Sequence, residues 1–352
     1  MMCAMRAIAI VPGRPETAGV IELPEPPPSE GSILVTTRLI GMCGTDVEIA
    51  RDGYGVPPPG EERLVLGHES LGEVIDAPEA TGFKPGDLVV GVVRRPDGCA
   101  ACAADEWDMC RTGGFVERGI KGHHGYGSER FRLDPRFAIA LPQALGDVGV
   151  LLEPTSVVAK AFDHAERIGH RARFEPQVAL ITGAGPIGLL AALLACQRGL
   201  ETHVVDLMTE GAKPGLVAEL GAEYHSTAVS ELPIAPDIVI ECTGLGQLAV
   251  AATRLAAPGA VVALTGISNS DRASEAHPDV MNKALVLGNK AVFGTVNAAR
   301  RHYDQAATAL AQADPAWLAK LITRRLPSEA WPAALDKRPE DIKIVIDMAA
   351  PS

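Results

Sequence analysis

The sequence predicts an α/β protein in two parts, a β-rich part shaped as a partly open barrel and a doubly wound parallel sheet. Three observations carry this. Short β-branched runs recur over residues 1 to about 90, with turns roughly every 8–12 residues, the spacing of an all-β barrel or sandwich. From residue 178 onward apolar runs alternate with helical runs, which implies parallel strands joined by right-handed crossovers. At the head of that alternation stands the turn Gly183-Ala184-Gly185-Pro186-Ile187-Gly188.

In the first part, residues 7–11, 19–23 and 33–39 read as strands, with the proline-rich connector 24–31 between the second and third. Residues 64–69 and 71–75 read as a strand pair, and 83–92 as a turn leading into a strand. Residues 94–128, rich in Cys, Gly, Asp and His, show little periodicity. A loop this long without structure of its own is functional, metal-bound, or both. From Val148 the apolar spacing becomes helical. The second part opens with strand 178–182 and helix 189–196. It continues with strand 202–205, helix 212–220 stopped by Gly221, strand 236–244, helix 247–256 and strand 260–266, and its last strong strand is 291–297. Residues 302–312 and 315–323 read as helices, and 342–348 as a strand able to return to the first sheet. There is no internal repeat.

The composition fits a folded globular chain: 352 residues, 47% hydrophobic and 22% charged. A net charge of −12 argues against nucleic acid or an anionic membrane as the main partner. No apolar run reaches the roughly 18 residues of a membrane span, and residues 1–7 lack the features of a secretory signal, so a cytoplasmic location is expected. Seven cysteines are too few, and odd in number, for a disulfide framework. Cys99, Cys102 and Cys110 cluster as metal ligands would. Cys3, Cys196 and Cys242 sit in or beside apolar runs as small core residues.

In the glycine turn, Gly183 permits the bend, Gly185 lets backbone amides approach a pyrophosphate, and Gly188 lets the helix pack close to the strand. The helix N-terminus then faces the phosphates. Asp206 ends the next strand about 20 residues on, where a dinucleotide site places its ribose-binding carboxylate. A second signal is Gly41-Met42-Cys43-Gly44-Thr45-Asp46 with Gly67-His68-Glu69. Thiolate, imidazole and carboxylate together suit Zn²⁺, and three protein ligands leave one position open for a substrate oxygen. Taken singly, a Cys beside Gly also fits a structural role, and Gly-His-Glu a surface turn.

These motifs stand in the order and spacing of the zinc-dependent medium-chain dehydrogenase/reductase superfamily, which the chain resembles over nearly its whole length. It resembles the glucose dehydrogenase branch more narrowly, through residues 62–69, 93–96, 116–126, 153–158, 285–290 and 294–297. The resemblance implies a GroES-like catalytic domain, residues 1–155 and 296–352, and a Rossmann nucleotide-binding domain, residues 156–295. Cys43, His68, Glu69 and Glu153 would hold the catalytic zinc, the two carboxylates directly or through water. Thr45 would hydrogen-bond the reacting oxygen and pass on its proton, with Glu69 beside it in the catalytic set. Thr45 read alone also fits a turn cap, and Glu153 a helix N-terminal acid. Gly183, Gly185, Pro186, Ile187, Gly188, Asp206, Thr243, Gly244, Thr295 and Asn297 would line the cofactor. Thr45, Glu117, Glu153 and Asn297 would contact the substrate, although Glu117 also fits an ion pair with Arg94 or Arg118.

Cys99, Cys102 and Cys110 resemble the superfamily's structural-zinc lobe, with Asp105 at the place of its third cysteine. Such a lobe either closes on zinc or is held by packing. Asp206, followed by Leu207 and Met208 rather than Arg, favours NAD over NADP, with Lys213 and Arg198 as the nearby cations. Val157 is apolar where some relatives place a polar sugar contact. His123 and His124 read as structural. The expected activity is oxidation of an aldose, D-glucose first, at C1 to the aldonolactone. Another aldose, a polyol or a cyclitol is the near alternative, and a non-catalytic nucleotide-binding redox sensor the distant one. A homodimer or homotetramer is expected, with residues 291–296 as a candidate edge.

Overall fold

The structure is a computed structural model that describes residues 4–267 and 278–349. Contacts divide the chain into two units, Met1–Glu153 with Asn297–Ser352, and Pro154–Val296.

The first unit is built on strand Ile33–Met42, whose inward side chains alternate with half-exposed ones until its fully buried end. It pairs with Glu69–Asp76, with Arg130–Leu133, and with Lys343–Asp347. Strands Leu88–Gly91 and Ala138–Leu141 extend this seven-stranded sheet on one side, and Ile322–Pro327 on the other. A smaller sheet joins Arg14–Pro24, Ala4–Val11 and Leu64–Val65. The enclosed core includes Ile8, Ile10, Ile40, Tyr126, Phe131 and Trp331, all essentially without solvent contact.

Several local readings change. Residues 64–69 and 71–75 are not partners of one another. Leu64–Val65 pairs with Ala4–Val11, whereas Glu69–Asp76 pairs with Ile33–Met42. The break falls at Gly67, whose φ of +96 turns the chain between the two sheets. The region 94–128 is not structureless: Arg94–Arg95, Val116–Arg118 and Gly122–His123 form a three-stranded sheet, with the short helix Ala100–Ala103 between its first two strands in the chain. A helix, Gly44–Asp52, follows Cys43 where only a turn was expected. Residues 322–323 open a strand rather than ending a helix, because the helix Pro315–Leu321 stops as its chain joins Lys343–Asp347 in parallel. Strands Arg130–Leu133 and Ala138–Leu141 were not read from the sequence at all.

The second unit is a six-stranded, wholly parallel sheet in the order Glu223–His225, Glu201–Val205, Val178–Thr182, Ile238–Glu241, Val261–Leu264, Ala291–Gly294. Counted along the chain this is 3-2-1-4-5-6, the order of a dinucleotide-binding sheet, and the direction reverses at strand Val178–Thr182. The glycine turn follows that strand. Gly183 has φ +87, and a Cβ built at Gly188 would overlap the Gly183 carbonyl oxygen. Helix Pro186–Gln197 begins there with Pro at its first position, where no amide hydrogen bond is lost. It buries Leu189, Leu190, Leu193 and Leu194, each contributing about 1.5–3 kcal/mol. The last strand ends at Gly294, three residues before its expected end. The edge strand Glu223–His225 and helix Pro278–Gly288 are additions to the sequence reading. Among the described residues no helix is long and apolar enough to cross a membrane.

Replacing Gly188 by Ala forces strand and helix apart at their closest approach. The expected cost is about 1–3 kcal/mol or more, with loss of dinucleotide binding, read from a thermal melt and from NADH fluorescence titration.

Candidate active site

Strand Ile33–Met42 delivers Cys43 to the N-cap of helix Gly44–Asp52. There Sγ accepts the Thr45 amide at 3.3 Å, and Asp46 Oδ2 accepts the Cys43 amide at 2.9 Å. Capping thus fixes the sulfur by local sequence alone. His68, 4% exposed, places Nε2 3.0 Å from Cys43 Sγ. Behind the ring, His68 Nδ1 lies 3.6 Å from Asp46 Oδ1, and neither atom has a hydrogen-bond partner among the described residues. A carboxylate standing behind an imidazole is the arrangement that orients a metal-ligating histidine. Glu69 opens the strand opposite Gly41, and a Cβ at Gly41 would collide with Glu69 Oε2, so this glycine makes room for the carboxylate.

Cys43, His68 and Glu69 each offer a ligand atom within 4.8 Å of the others. Glu69, however, is held by a residue the sequence reading missed. Lys343 Nζ donates to Glu69 Oε1 at 2.7 Å and Oε2 at 2.6 Å, and to the Met42 carbonyl at 3.2 Å. The one signal was a lysine heading the buried apolar run 344–346 of strand Lys343–Asp347. Burial pushes the Lys343 pKa down, but Glu69 and Cys43 outweigh it and the net shift is upward. Burial likewise opposes charge on His68, yet Cys43 and Asp46 leave its pKa well above the usual value. Burial raises Asp46. Glu153 is pushed up to about 7 by burial, with His68 pulling against this and Glu69 adding to it. A thiol, an imidazole and two carboxylates, one of them bound to an ammonium, are a donor set that fits a divalent zinc-like ion. Thr45 does not cap the helix: its hydroxyl makes no hydrogen bond among the described residues, and Cys43 is the cap.

Glu117 and Asn297 come together. Glu117 Oε1 accepts from Arg94 Nε at 3.0 Å, Arg94 Nη2 at 2.9 Å and Asn297 Nδ2 at 2.9 Å. Asn297 adopts φ +60 and caps its own turn, Oδ1 accepting the Ala298 amide. Arg94 is therefore the partner of Glu117, while Arg118 pairs with Glu30. Glu117 Oε2 has no partner among the described residues.

In the second unit, Asp206 Oδ2 accepts the Ala184 amide at 2.6 Å and Oδ1 the Met208 amide at 3.1 Å, which ties the carboxylate to the glycine turn. Lys213 Nζ lies 3.2 Å from Oδ2. Burial opposes the Asp206 charge, but the two amides and Lys213 carry its pKa below the usual range. Arg198 is engaged with Glu166 instead. Thr243 and Gly244 are set by Glu241, also missed in the sequence, whose Oε1 accepts from Thr182 Oγ1 at 3.1 Å and the Thr243 amide at 2.8 Å, and whose Oε2 accepts the Gly244 amide at 3.1 Å. Among the described residues Thr295 Oγ1 is buried without a partner, an orphan that a ligand's polar group would satisfy.

The cysteine cluster needs a correction. Its fourth member is Asp97, which with Cys99, Cys102 and Cys110 offers ligand atoms within 4.8 Å. Asp105, the expected fourth, is exposed and lies outside the group, because φ +59 after helix Ala100–Ala103 turns it away. Asp97 Oδ1 accepts the Cys99 amide and Oδ2 the Gly114 amide, while Cys110 Sγ approaches Oδ2 at 3.3 Å. Hydrogen bonding, first from Thr112, holds the Asp97 carboxyl well below its usual range. Amide hydrogen bonds, first from Arg111, bring Cys99 down to about 7, whereas burial lifts Cys102 to about 12. His124 braces Glu61 and the Val65 amide, and burial pushes His123 down to about 3. Cys196 and Cys242 are partly buried, and Cys3 lies outside the described residues.

Comparison with known proteins gives a consistent picture. Residues 29–143 match the alcohol dehydrogenase GroES-like domain, and residues 146–348 the glucose dehydrogenase C-terminus. A glucose 1-dehydrogenase of Methanocella arvoryzae is 38% identical over 98% of this chain and 100% of its own length. One from Thermoproteus tenax is 37% identical over 98% and 99%. The glucose dehydrogenase of Haloferax mediterranei, solved with NADP, Zn and gluconolactone, superposes with a TM-score of 0.90 at 34% identity, covering 99% of this chain and 100% of that one. L-idonate 5-dehydrogenase of Escherichia coli, at 18% identity and a TM-score of 0.79 over 99% of both chains, shares the fold.

Two outcomes follow from the geometry. Lys343→Met strands a buried carboxylate and is expected to cost about 3–5 kcal/mol in urea denaturation. Adding Glu69→Gln should recover a large part of that loss, and an additive double variant would contradict the coupling. In the cysteine lobe, Asp97→Ala is expected to lower retained zinc measured by elemental analysis, and Asp105→Ala to leave it unchanged.

Proposed function

The chain belongs to the glucose dehydrogenase branch of the zinc-dependent medium-chain dehydrogenase/reductase family, and on that premise we propose that it oxidises D-glucose at C1 to the gluconolactone with a nicotinamide dinucleotide as hydride acceptor. The observation that carries this reading is the buried Cys43–His68 pair backed by Asp46, with Glu69 and Glu153 beside it. Zinc held by Cys43, His68 and one or both of these carboxylates supplies Lewis acidity that lowers the pKa of the sugar's C1 hydroxyl.

The chain's own residues do the rest. Asp46 holds the His68 ring in orientation through Nδ1. Thr45 Oγ, free of other hydrogen bonds among the described residues, accepts the C1 hydroxyl proton and relays it toward solvent as the hydride leaves C1. Glu153, with a pKa near neutrality, exchanges a proton or a ligand position as substrate enters. Glu117 Oε2 and Asn297 meet sugar hydroxyls, and Arg94 fixes their orientation. A site built from such fixed polar groups rejects an epimer that leaves one of them unpaired. The same machinery acts on another aldose, a polyol or a cyclitol wherever the hydroxyl pattern satisfies Glu117 and Asn297.

The dinucleotide binds at Gly183–Gly188, where Pro186 and Ile187 open the helix, with Asp206 on the ribose. Asp206, held ionised, repels a 2′-phosphate, which favours NAD. Lys213 beside it is the cation through which NADP, the cofactor seen in the Haloferax enzyme, is tolerated. The chain works as a cytoplasmic homo-oligomer, for which the sheet-edge strand Ala291–Gly294 offers a pairing edge.

The test combines metal content, cofactor titration and a substrate panel with NAD and NADP. Cys43→Ser is expected to lose the catalytic zinc and turnover while still binding NADH. Thr45→Ala should lose about 10²–10⁴ in kcat, largely restored in Thr45→Ser. Zinc-loaded protein without turnover on any aldose, polyol or cyclitol would refute the reading, and a higher kcat/KM with NADP would refute the Asp206 argument.

A further inference from the structure

Away from this site, two neighbouring strands of the second unit each begin Glu-x-His: Glu201-Thr202-His203 and Glu223-Tyr224-His225. They run parallel, His203 beside Glu223 and Val205 beside His225. Alternation along a strand therefore brings Glu201, His203, Glu223 and His225 to one face at the sheet's edge. We propose that this face is a binding site for a divalent late first-row transition ion such as Zn²⁺, ligated by His203 Nδ1, His225 Nε2 and a Glu223 carboxylate oxygen.

The geometry argues for it in three steps. First, the donors already converge. His203 Nδ1 is 2.9 Å from His225 Nε2 and 3.6 Å from Glu223 Oε2, and each of the three residues offers a ligand atom within 4.8 Å of the others. Two nitrogens at about 2.0–2.1 Å from a tetrahedral ion stand about 3.3 Å apart, so the histidines need open by only a few tenths of an ångström. Second, the tautomer is set. His203 Nε2 donates to Glu201 Oε1 at 3.0 Å, which keeps its proton on Nε2 and turns the Nδ1 lone pair toward the site. A carboxylate holding the far nitrogen of an imidazole is the outer partner that metal-binding histidines use. Third, the parts have the right freedom. His203 is only 3% exposed and fixed in place, while the Glu223 side chain is 66% exposed and free to swing onto an ion, leaving the solvent side for water.

Such an ion would pin a three-residue edge strand to the strand that ends at Asp206. The Asp206 amide already donates to the His225 carbonyl at 3.1 Å, so the pin would steady the ribose-side carboxylate. Two nitrogens and an oxygen, with no sulfur, separate this site chemically from both cysteine-containing groups.

The test titrates the metal-stripped full-length protein with Co²⁺, following bound metal by elemental analysis and the sulfur-to-cobalt charge-transfer absorption optically. The wild type is expected to take up one more equivalent than His225→Gln, and that equivalent should add no charge-transfer absorption. Glu223→Ala should weaken the same equivalent at least tenfold, and Glu201→Gln by about 10–100-fold. Both of these side chains are mostly exposed, so they decide the matter even if His225→Gln fails to fold. Equal stoichiometry and equal affinity in the wild type and the folded variants would overturn the proposal.

Discussion

A buried ammonium, Lys343, held by Glu69 and the Met42 carbonyl, governs the first unit's site. Asp46, Glu69, Glu153 and the Cys43 thiol crowd one region, and His68 and Lys343 answer them. Removing so many anions from water is costly unless each is matched by charge or by hydrogen bonds. Lys343 lies against Glu69, and Cys43 and Asp46 draw the His68 pKa up against the pull of burial. The remaining negative charge makes the site receptive to a divalent cation. The electrostatics and the donor chemistry thus make the same demand. Lys343 also sets a competition, since Glu69 can reach a metal only by loosening its hold on the lysine.

What the sequence makes legible follows from how local each feature is. The glycine turn, the strand that ends at Asp206 and the Gly67-His68-Glu69 motif are each written in a few consecutive residues, and each has a mechanism that needs those residue types. Strands with strong alternation, such as Ile33–Met42, are legible for the same reason. Long-range partners are not. Nothing near Glu69 in the sequence announces Lys343, because strand pairing alone brings the two together. Asp97 and Asp105 are equally plausible by composition. The choice falls to turn geometry, which points Asp97 at the sulfurs and Asp105 away. The partner of Leu64–Val65 was misassigned because only three residues separate it from Glu69–Asp76 in the other sheet, and periodicity has no meaning over so short a stretch.

The Glu117 cluster shows how a sugar site can be rigid without being closed. One carboxylate oxygen is saturated by three donors from Arg94 and Asn297, and the other is left without a partner among the described residues. The guanidinium does not quench the carboxylate but aims it. Glu117 therefore needs no rearrangement before receiving a hydroxyl, and the ordering cost is met during folding rather than during binding.

The pairing of Lys343 with Met42 and Glu69 also bears on how the chain is made. The lysine and the Met42 carbonyl it binds are 301 residues apart, and the whole second unit lies between them. Synthesis runs from the N-terminus, so every strand of the parallel sheet leaves the ribosome before the strand that completes the first sheet. The second unit has all its parts while the first still lacks a central one. During that interval Cys43 and His68 exist, but Glu69 has no ammonium partner and Ile33–Met42 has an unpaired edge. Maturation of the metal-binding pocket is thereby deferred to the end of translation, a period in which the nascent N-terminal strands depend on shielding from other chains.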